Sequence, residues 1–279
     1  MKTAVVLGTF DGLHSGHRAV IAAADGFYSI AVTFRIPPKT LKKPELLMMP
    51  ESRRQALLEL GISEVAMYEF GDLCGLTANQ FFEFLRLKYN PTRIVCGYNY
   101  RFGKNAVGDT KLLKEYCEAA GVELVCVDEV TVGNEPVSST KIRGLIKDGE
   151  ISAANALLYK PFGFSATVIS GDKRGRELGF PTINQQYPEL LTLTRFGVYE
   201  SRVTVGDKVY IGITNIGIRP TFKTEKVCSE TYIKDFSGDL YGVNVKIELV
   251  RFVRDEKRFE NETQLRAAIA DDAAKIFGE

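Results

Sequence analysis

The chain predicts two domains of different class. Residues 1–158 read as an α/β domain with a parallel sheet, and residues 159–279 as an antiparallel sheet or small antiparallel β-barrel with one closing C-terminal helix. Three observations predict this. Short β-branched runs alternate with amphipathic stretches through the first half. The amphipathic stretches stop after "LLYKPFGF", and strands then follow one another directly. Helical periodicity returns once, near the end. A length of 279 residues accommodates two ordinary domains or a single large one.

In order, "TAVVLG", "YSIAVTF", "EVAMYEF", "RIVCG" and "VELVCVDE" read as strands. Between them, "ESRRQALLELG", "TANQFFEFLRLKY" and "GDTKLLKEYCEAAG" read as helices. Two of these end on Gly61 and Gly121, as helix C-termini often do. In the second half "FSATVISG", "GVYESRVTV", "KVYIGITNIG", "CSETYIKDF" and "VNVKIELVRFV" alternate with turn residues. "NETQLRAAIADDAAKIF" forms the last helix, with Asn261 as its N-cap.

The composition, 45% hydrophobic and 25% charged, is that of a globular protein. A net charge of +1 gives no electrostatic footprint for nucleic acid or an anionic membrane, so phosphate recognition must be local. No apolar run approaches the roughly 18 residues of a membrane span. The apolar start is broken at Asp11 without a small-residue cleavage site, which argues against a signal peptide. The five cysteines form no CxxC pair, and several sit in strand-like stretches as reduced core residues do. A cytoplasmic protein that is a monomer or weak homo-oligomer is expected, with small-molecule substrates and no nucleic-acid or membrane partner.

Both histidines of the chain, His14 and His17, fall in "GTFDGLHSGH", between the first strand and a helix. A turn there lies at the carboxyl ends of parallel strands, where such sheets bind ligands. The following helix start offers unpaired N–H groups and a positive dipole end. Imidazole N–H groups at that spot would add donors for phosphate oxygens. Two histidines at i, i+3 are commonly no more than surface residues, and a zinc site would need a third ligand that the chain's histidines do not supply.

The segment resembles the GxFDGxHxGH signature of nucleotidyltransferases, in the form found in bacterial FAD synthetases. The resemblance implies a Rossmann-like nucleotidyltransferase domain in which His14 and His17 are catalytic and Gly8, Thr9, Phe10, Asp11 and Gly16 line the ATP phosphates. "VSSTKIRGLI" is similar to the family's SSTxIR segment, which implies Ser138, Ser139 and Thr140 as phosphate ligands and Arg143 as their charge partner. As plain residues, the serines and threonine would equally serve as helix N-caps. "VCGYNYRFGK" is similar to the GxNFxFG loop near the nucleotide and implies Asn99 and Arg101.

"SGDKRGRELGFPTINQ", "NIGIRPTF" and "SETYIKDFSGDLYG" resemble three segments of riboflavin kinases, with Ile183 in place of a small residue. Together with the N-terminal motifs, they make the whole chain resemble bifunctional riboflavin kinase/FMN adenylyltransferases. The resemblance implies MgATP, riboflavin and FMN as substrates. It assigns ATP phosphates to Gly171, Lys173, Gly175 and Arg176, Mg²⁺ to Thr182 and Asn184, and the flavin to Asp239 and Tyr241. Glu230 becomes the general base. Two residues apart on a strand, Thr182 and Asn184 share a face, and their oxygens suit a hard cation. The loop lacks the GK[ST] of a P-loop kinase.

One departure stands out. Where the family reads TFDPHP the chain reads "TFRIPP", with Arg35 in place of an acidic residue and Pro37 in place of a histidine. Arg35 is therefore a candidate for the flavin phosphate. The rival reading is a monofunctional riboflavin kinase with a degenerate or regulatory N-terminal domain.

Overall fold

The computed structural model describes residues 2–38, 42–171, 179–220, 225–257 and 259–278. They divide into two compact units: Met1–Ile142 with Leu157–Tyr159, and Arg143–Ala156 with Lys160–Glu279. Residues 143–156 precede the boundary read from the sequence, yet they group with the second unit.

In the first unit the five β-branched runs form β1 (Thr3–Leu7), β2 (Tyr28–Phe34), β3 (Glu64–Tyr68), β4 (Arg93–Gly97) and β5 (Glu123–Val127). All pair in parallel, in the order β3-β2-β1-β4-β5. Helices α1 (Ser15–Ala22), α2 (Pro50–Glu59), α3 (Phe70–Leu73), α4 (Ala78–Tyr89) and α5 (Thr110–Ala120) complete it. The starts of α4 and α5 follow from local chemistry. Thr77 and Gln80 exchange side-chain and backbone bonds in a capping box, and the Asp109 carboxylate accepts from the N–H groups of Lys111 and Leu112.

The run "AVVL" is apolar throughout because both faces of β1 are covered. Ala4 and Val6 join Val20, Ile21, Ala56 and Leu57 on one face. Val5 and Leu7 join Phe81, Phe82, Leu85 and Leu113 on the other. Each fully buried large side chain contributes about 1.5–3 kcal/mol. A short hairpin, β6 (Thr131–Val132) and β7 (Glu135–Pro136), leads into α6 (Ser139–Lys147) and then α7 (Ile151–Leu157).

The second unit holds β8 (Gly163–Ile169), β9 (Thr182–Gln186), β10 (Gly197–Val205), β11 (Lys208–Pro220), β12 (Glu225–Ile233) and β13 (Asn244–Asp255). They close into a barrel in the order β10-β11-β12-β9-β8-β13, every pair antiparallel. Val168, Val203, Ile233, Leu240 and Val245 pack together in its core. A buried hydroxyl chain satisfies the polar interior: Ser201 bonds Thr214 at 2.7 Å, and Thr214 bonds Thr231 at 2.9 Å.

The last helix, α8 (Glu262–Phe277), starts on Asn261, whose Oδ1 accepts the Gln264 N–H at 2.9 Å. Asp272, only 1% exposed, anchors it to β13 through Arg254 at 2.7 Å. α7 is tied to the same strand: Asn155 Nδ2 donates to the Leu249 carbonyl at 2.8 Å, and its Oδ1 accepts the Phe162 N–H at 2.8 Å. Among the described residues, no helix is long and apolar enough to cross a membrane.

Candidate active sites

In the first unit the strand order reverses between β1 and β4, so the ligand crevice of such a sheet opens at their carboxyl ends. The HxGH turn follows β1 and the Asn99 loop follows β4. Phe10 (φ 52°), Gly12 (φ 83°) and Leu13 (φ 47°) all take left-handed backbone, which costs energy for the two non-glycine residues. Burial holds them there, since neither Phe10 nor Leu13 exposes any surface. Strain concentrated in one turn is typical of functional sites.

His14 occupies the N-cap of α1 and makes no side-chain capping bond. The first-turn N–H groups therefore have no carboxylate or hydroxyl from that residue, and no acidic side chain lies in the turn. Gly16 sits in this first turn. The His17 ring stacks on His14 with centroids 3.8 Å apart and meets the Phe10 edge at 5.5 Å. Burial first, then the His14 and Arg53 charges, hold His17 well below the usual imidazole pKa. His17 is thus neutral at pH 7, with one ring N–H to donate. Its Nδ1 has no hydrogen-bond partner among the described residues.

Asp11 is fully buried and turned toward the protein. Its Oδ1 accepts the N–H groups of Leu47 (2.9 Å) and Met48 (3.2 Å), and its carbonyl accepts the Ser139 hydroxyl at 3.0 Å. That last bond brings together two motifs 128 residues apart. Ser138 caps α6 through Lys141 N–H at 3.2 Å, and Thr140 is exposed. Arg143 lies four residues beyond Ser139 on α6 and belongs to the second compact unit. Gly8 and Thr9 lead out of β1, and the Thr9 carbonyl accepts the Thr33 hydroxyl at 3.1 Å. Asn99 is exposed on its loop, and Arg101 faces Asp109 at 3.7 Å.

Arg35 extends from the end of β2 into two carboxylates, Glu51 and Glu69, each at 3.3 Å. One residue that sequence reading missed is Arg53. It exposes no surface, and its Nη2 donates to the carbonyls of Phe34 (2.6 Å) and Arg35 (2.8 Å), closing the end of β2. Burial lowers its pKa, and the Asp11 charge opposes that shift. The signal was present: Arg53 shares the i, i+3, i+4 stripe with the buried Ala56 and Leu57.

The second group of candidate residues lies on the outer face of the barrel. Ser229 and Thr231 are completely buried, so the period of two turns Glu230 outward. Register pairs Glu230 with Asn184 of β9 on one side and Asn215 of β11 on the other; Tyr232 pairs with Thr182. Asn184 is 6% exposed, and Gly171 packs directly against its side chain. A Cβ at Gly171 would lie 2.3 Å from Asn184 Nδ2, so a side chain there would have to displace the Asn184 amide. Phe180 meets Tyr232 edge-on at 5.3 Å, and Phe277 of α8 lies 6.3 Å from Tyr232 on its own contact. Asn215 was missed as a site residue.

Asp239 accepts the Tyr241 N–H at 3.0 Å in the connection between β12 and β13, and the Tyr241 side chain is exposed. Lys173, Gly175 and Arg176 lie outside the described residues.

Residues 158–277 match the riboflavin kinase family and residues 1–141 the FAD synthetase family. The chain is 32% identical to a bifunctional riboflavin kinase/FMN adenylyltransferase of Listeria monocytogenes, over 96% of this chain and 89% of that one. It is 31% identical to the Escherichia coli K12 protein of the same name, over 98% and 92%. A crystal structure from Streptococcus pneumoniae, described as a macrolide-efflux protein, superposes with a TM-score of 0.90 at 30% identity, covering 100% of this chain and 94% of that one.

Proposed function

The chain belongs to the bifunctional riboflavin kinase/FMN adenylyltransferase family, and from that membership we propose how its residues divide the work. It phosphorylates riboflavin to FMN with ATP, and it adenylylates FMN with ATP to give FAD and pyrophosphate. We assign adenylyl transfer to residues 1–158 and the kinase to residues 159–279. What supports two independent sites is that the histidines, at the start of α1, and Glu230, on β12, belong to different compact units.

In the first site an FMN phosphate oxygen attacks the α-phosphorus of ATP, forming the new P–O bond as the bond to pyrophosphate breaks. Catalysis is positioning and charge stabilisation, without a covalent enzyme intermediate. His14, His17 and the α1 N-terminus donate to the triphosphate as charge develops. The Ser139 hydroxyl on the Asp11 carbonyl positions this turn, and Ser138, Thr140, Asn99 and Arg101 complete the anion site. Arg35 contributes to the flavin phosphate at the end of β2.

In the second site Glu230 accepts the proton of the terminal ribityl hydroxyl while that oxygen attacks the γ-phosphorus and ADP leaves. Gly171 with Lys173, Gly175 and Arg176 cradles the ATP phosphates, and Asp239 and Tyr241 contact the flavin. The Thr182 hydroxyl and the Asn184 amide oxygen, beside the Glu230 carboxylate in register, are a hard-oxygen set that fits Mg²⁺. When bound, that ion neutralises phosphate charge. The free cysteines support a cytoplasmic protein, which we take to be a monomer or weak homo-oligomer.

The test is to incubate the pure protein with riboflavin and MgATP alone and to separate the flavins by chromatography. FMN should appear first and FAD after it. FMN as the end product would favour the monofunctional kinase.

A further inference from the structure

Asn215 stands beside Glu230 in register, on the neighbouring strand and the same outer face. Its Nδ2 donates to Glu256 Oε1 at 3.3 Å. Glu256 follows β13, in the segment that leads to α8. Its carboxylate seats itself on β11 over Gly217, where an added Cβ would lie 1.9 Å from Oε1. Any side chain at Gly217 would evict it, so the missing Cβ is what lets the carboxylate reach Asn215.

The neighbouring acidic groups differ in their partners. Asp255 pairs with Arg195 at 2.8 Å and Asp272 with Arg254 at 2.7 Å, both cations. Among the described residues, the exposed Glu256 carboxylate takes a neutral amide as its hydrogen-bond partner. An amide has a donor end and an acceptor end, whereas an ionised carboxylate only accepts. Pairing with Glu256 therefore fixes which way the Asn215 amide faces. Nδ2 points to Glu256, and Oδ1 is the acceptor end of the amide on the face that carries Glu230. A sugar-alcohol chain approaching Glu230 brings several hydroxyl donors, of which Glu230 takes only the reacting one.

We propose that Asn215 is a specificity-determining residue that accepts a hydrogen bond from a non-reacting ribityl hydroxyl of riboflavin, and that Glu256 is its positioning residue. The proposal rests on the reading of this barrel face as the kinase site.

The test uses the full-length protein and initial rates of FMN formation, with riboflavin and MgATP varied separately. Glu256→Ala should raise the KM for riboflavin roughly tenfold, the scale of one misdirected hydrogen bond, and leave the KM for ATP within about twofold. Glu256→Gln keeps an acceptor oxygen and should recover most of that loss. Asn215→Asp places two carboxylates together and should raise the riboflavin KM at least as much as Glu256→Ala. Adding Glu256→Gln to Asn215→Asp restores a donor–acceptor pair and should lower it again.

An unchanged riboflavin KM in Glu256→Ala overturns the proposal. So does a Glu256→Gln variant as impaired as Glu256→Ala, which would make charge the requirement, and so does an equal rise in both KM values. Conversion of supplied FMN to FAD and an unchanged melting temperature establish that each variant is folded. Glu230→Gln is measured alongside. If it forms FMN at the parent rate, the kinase-site reading itself fails; if it is slow while Glu256→Ala is normal, only the present proposal falls.

Discussion

His14 and His17 stack face to face, ring centroids 3.8 Å apart and 22° from parallel, at the first turn of α1. Two imidazolium ions could not share that space cheaply, and burial with the Arg53 charge adds to the penalty. His17→Ala is expected to abolish or sharply reduce FAD formation while riboflavin still becomes FMN, which accumulates. Chromatography of the flavins checks it, and FAD formed at the parent rate would remove His17 from the mechanism.

The same burial gives a pH dependence. The folded-state pKa of His17 lies well below the ordinary value of 6.5, so the unfolded chain binds this proton first as pH falls. His17 thus contributes no penalty above about pH 6.5 and a growing one below it. Denaturant melts of the parent should lose stability between neutral and mildly acidic pH, and His17→Phe should show less of that slope. An identical slope in both proteins would mean that the imidazole is accessible to protons in the native state.

Glu230→Gln preserves size and removes the proton acceptor. FMN formation should slow by about 10²–10⁴, while supplied FMN is still converted to FAD near the parent rate. Mixing it with His17→Ala should restore the route from riboflavin to FAD, because FMN diffuses between molecules. Loss of both reactions in Glu230→Gln would contradict separate sites.

Arg35 must give up Glu51 and Glu69 to meet a phosphate, and both pairs are substantially solvent-exposed. The exchange of one set of ionic contacts for another nets little, about 0.2–1 kcal/mol. Arg35→Ala should therefore raise the KM for FMN only a few-fold, and leave riboflavin phosphorylation unaltered. A hundredfold rise would show a stronger phosphate contact than these pairs allow.

Helix α7 belongs physically to the barrel unit, through Asn155 on Leu249 and Phe162 and through Ser152 on the Val250 carbonyl. A kinase fragment of residues 143–279 should melt at a higher temperature than one of residues 160–279, and both should be assayed for FMN formation. Equal melting temperatures would show that α7 adds nothing to the barrel.

Asp272→Ala leaves the Arg254 guanidinium, whose side chain is 17% exposed, without its carboxylate. Removing one partner of such a buried pair costs about 3–5 kcal/mol. The loss should appear in urea unfolding of the barrel unit, and a second substitution, Arg254→Met, should recover part of it. No recovery would argue that packing of α8, rather than the stranded charge, sets the cost.

The sequence by itself determined the class of each half. Runs such as "TAVVL" and "YSIAVTF" are apolar throughout because a parallel strand is covered on both faces, and that pattern is local. The alternation in "CSETYI" likewise set Glu230 opposite in facing to Ser229 and Thr231, and "NETQ" named its own cap. The motifs pointed to His14, His17, Thr182, Asn184 and Glu230, because each carries its chemistry within a few residues.

Tertiary structure alone decided which distant groups meet. Ser139 reaches the Asp11 carbonyl across 128 residues, Asn215 comes beside Glu230 only through strand register, and Glu256 arrives over Gly217 from beyond another strand. Arg53 shares a helical stripe with Ala56 and Leu57, but only the packing of α2 against the end of β2 gave its guanidinium the Phe34 and Arg35 carbonyls. Residues 143–156 read as the end of the first domain but pack with the second. In each case the deciding term is a contact between segments far apart in the chain, and local propensity and periodicity carry no record of such contacts.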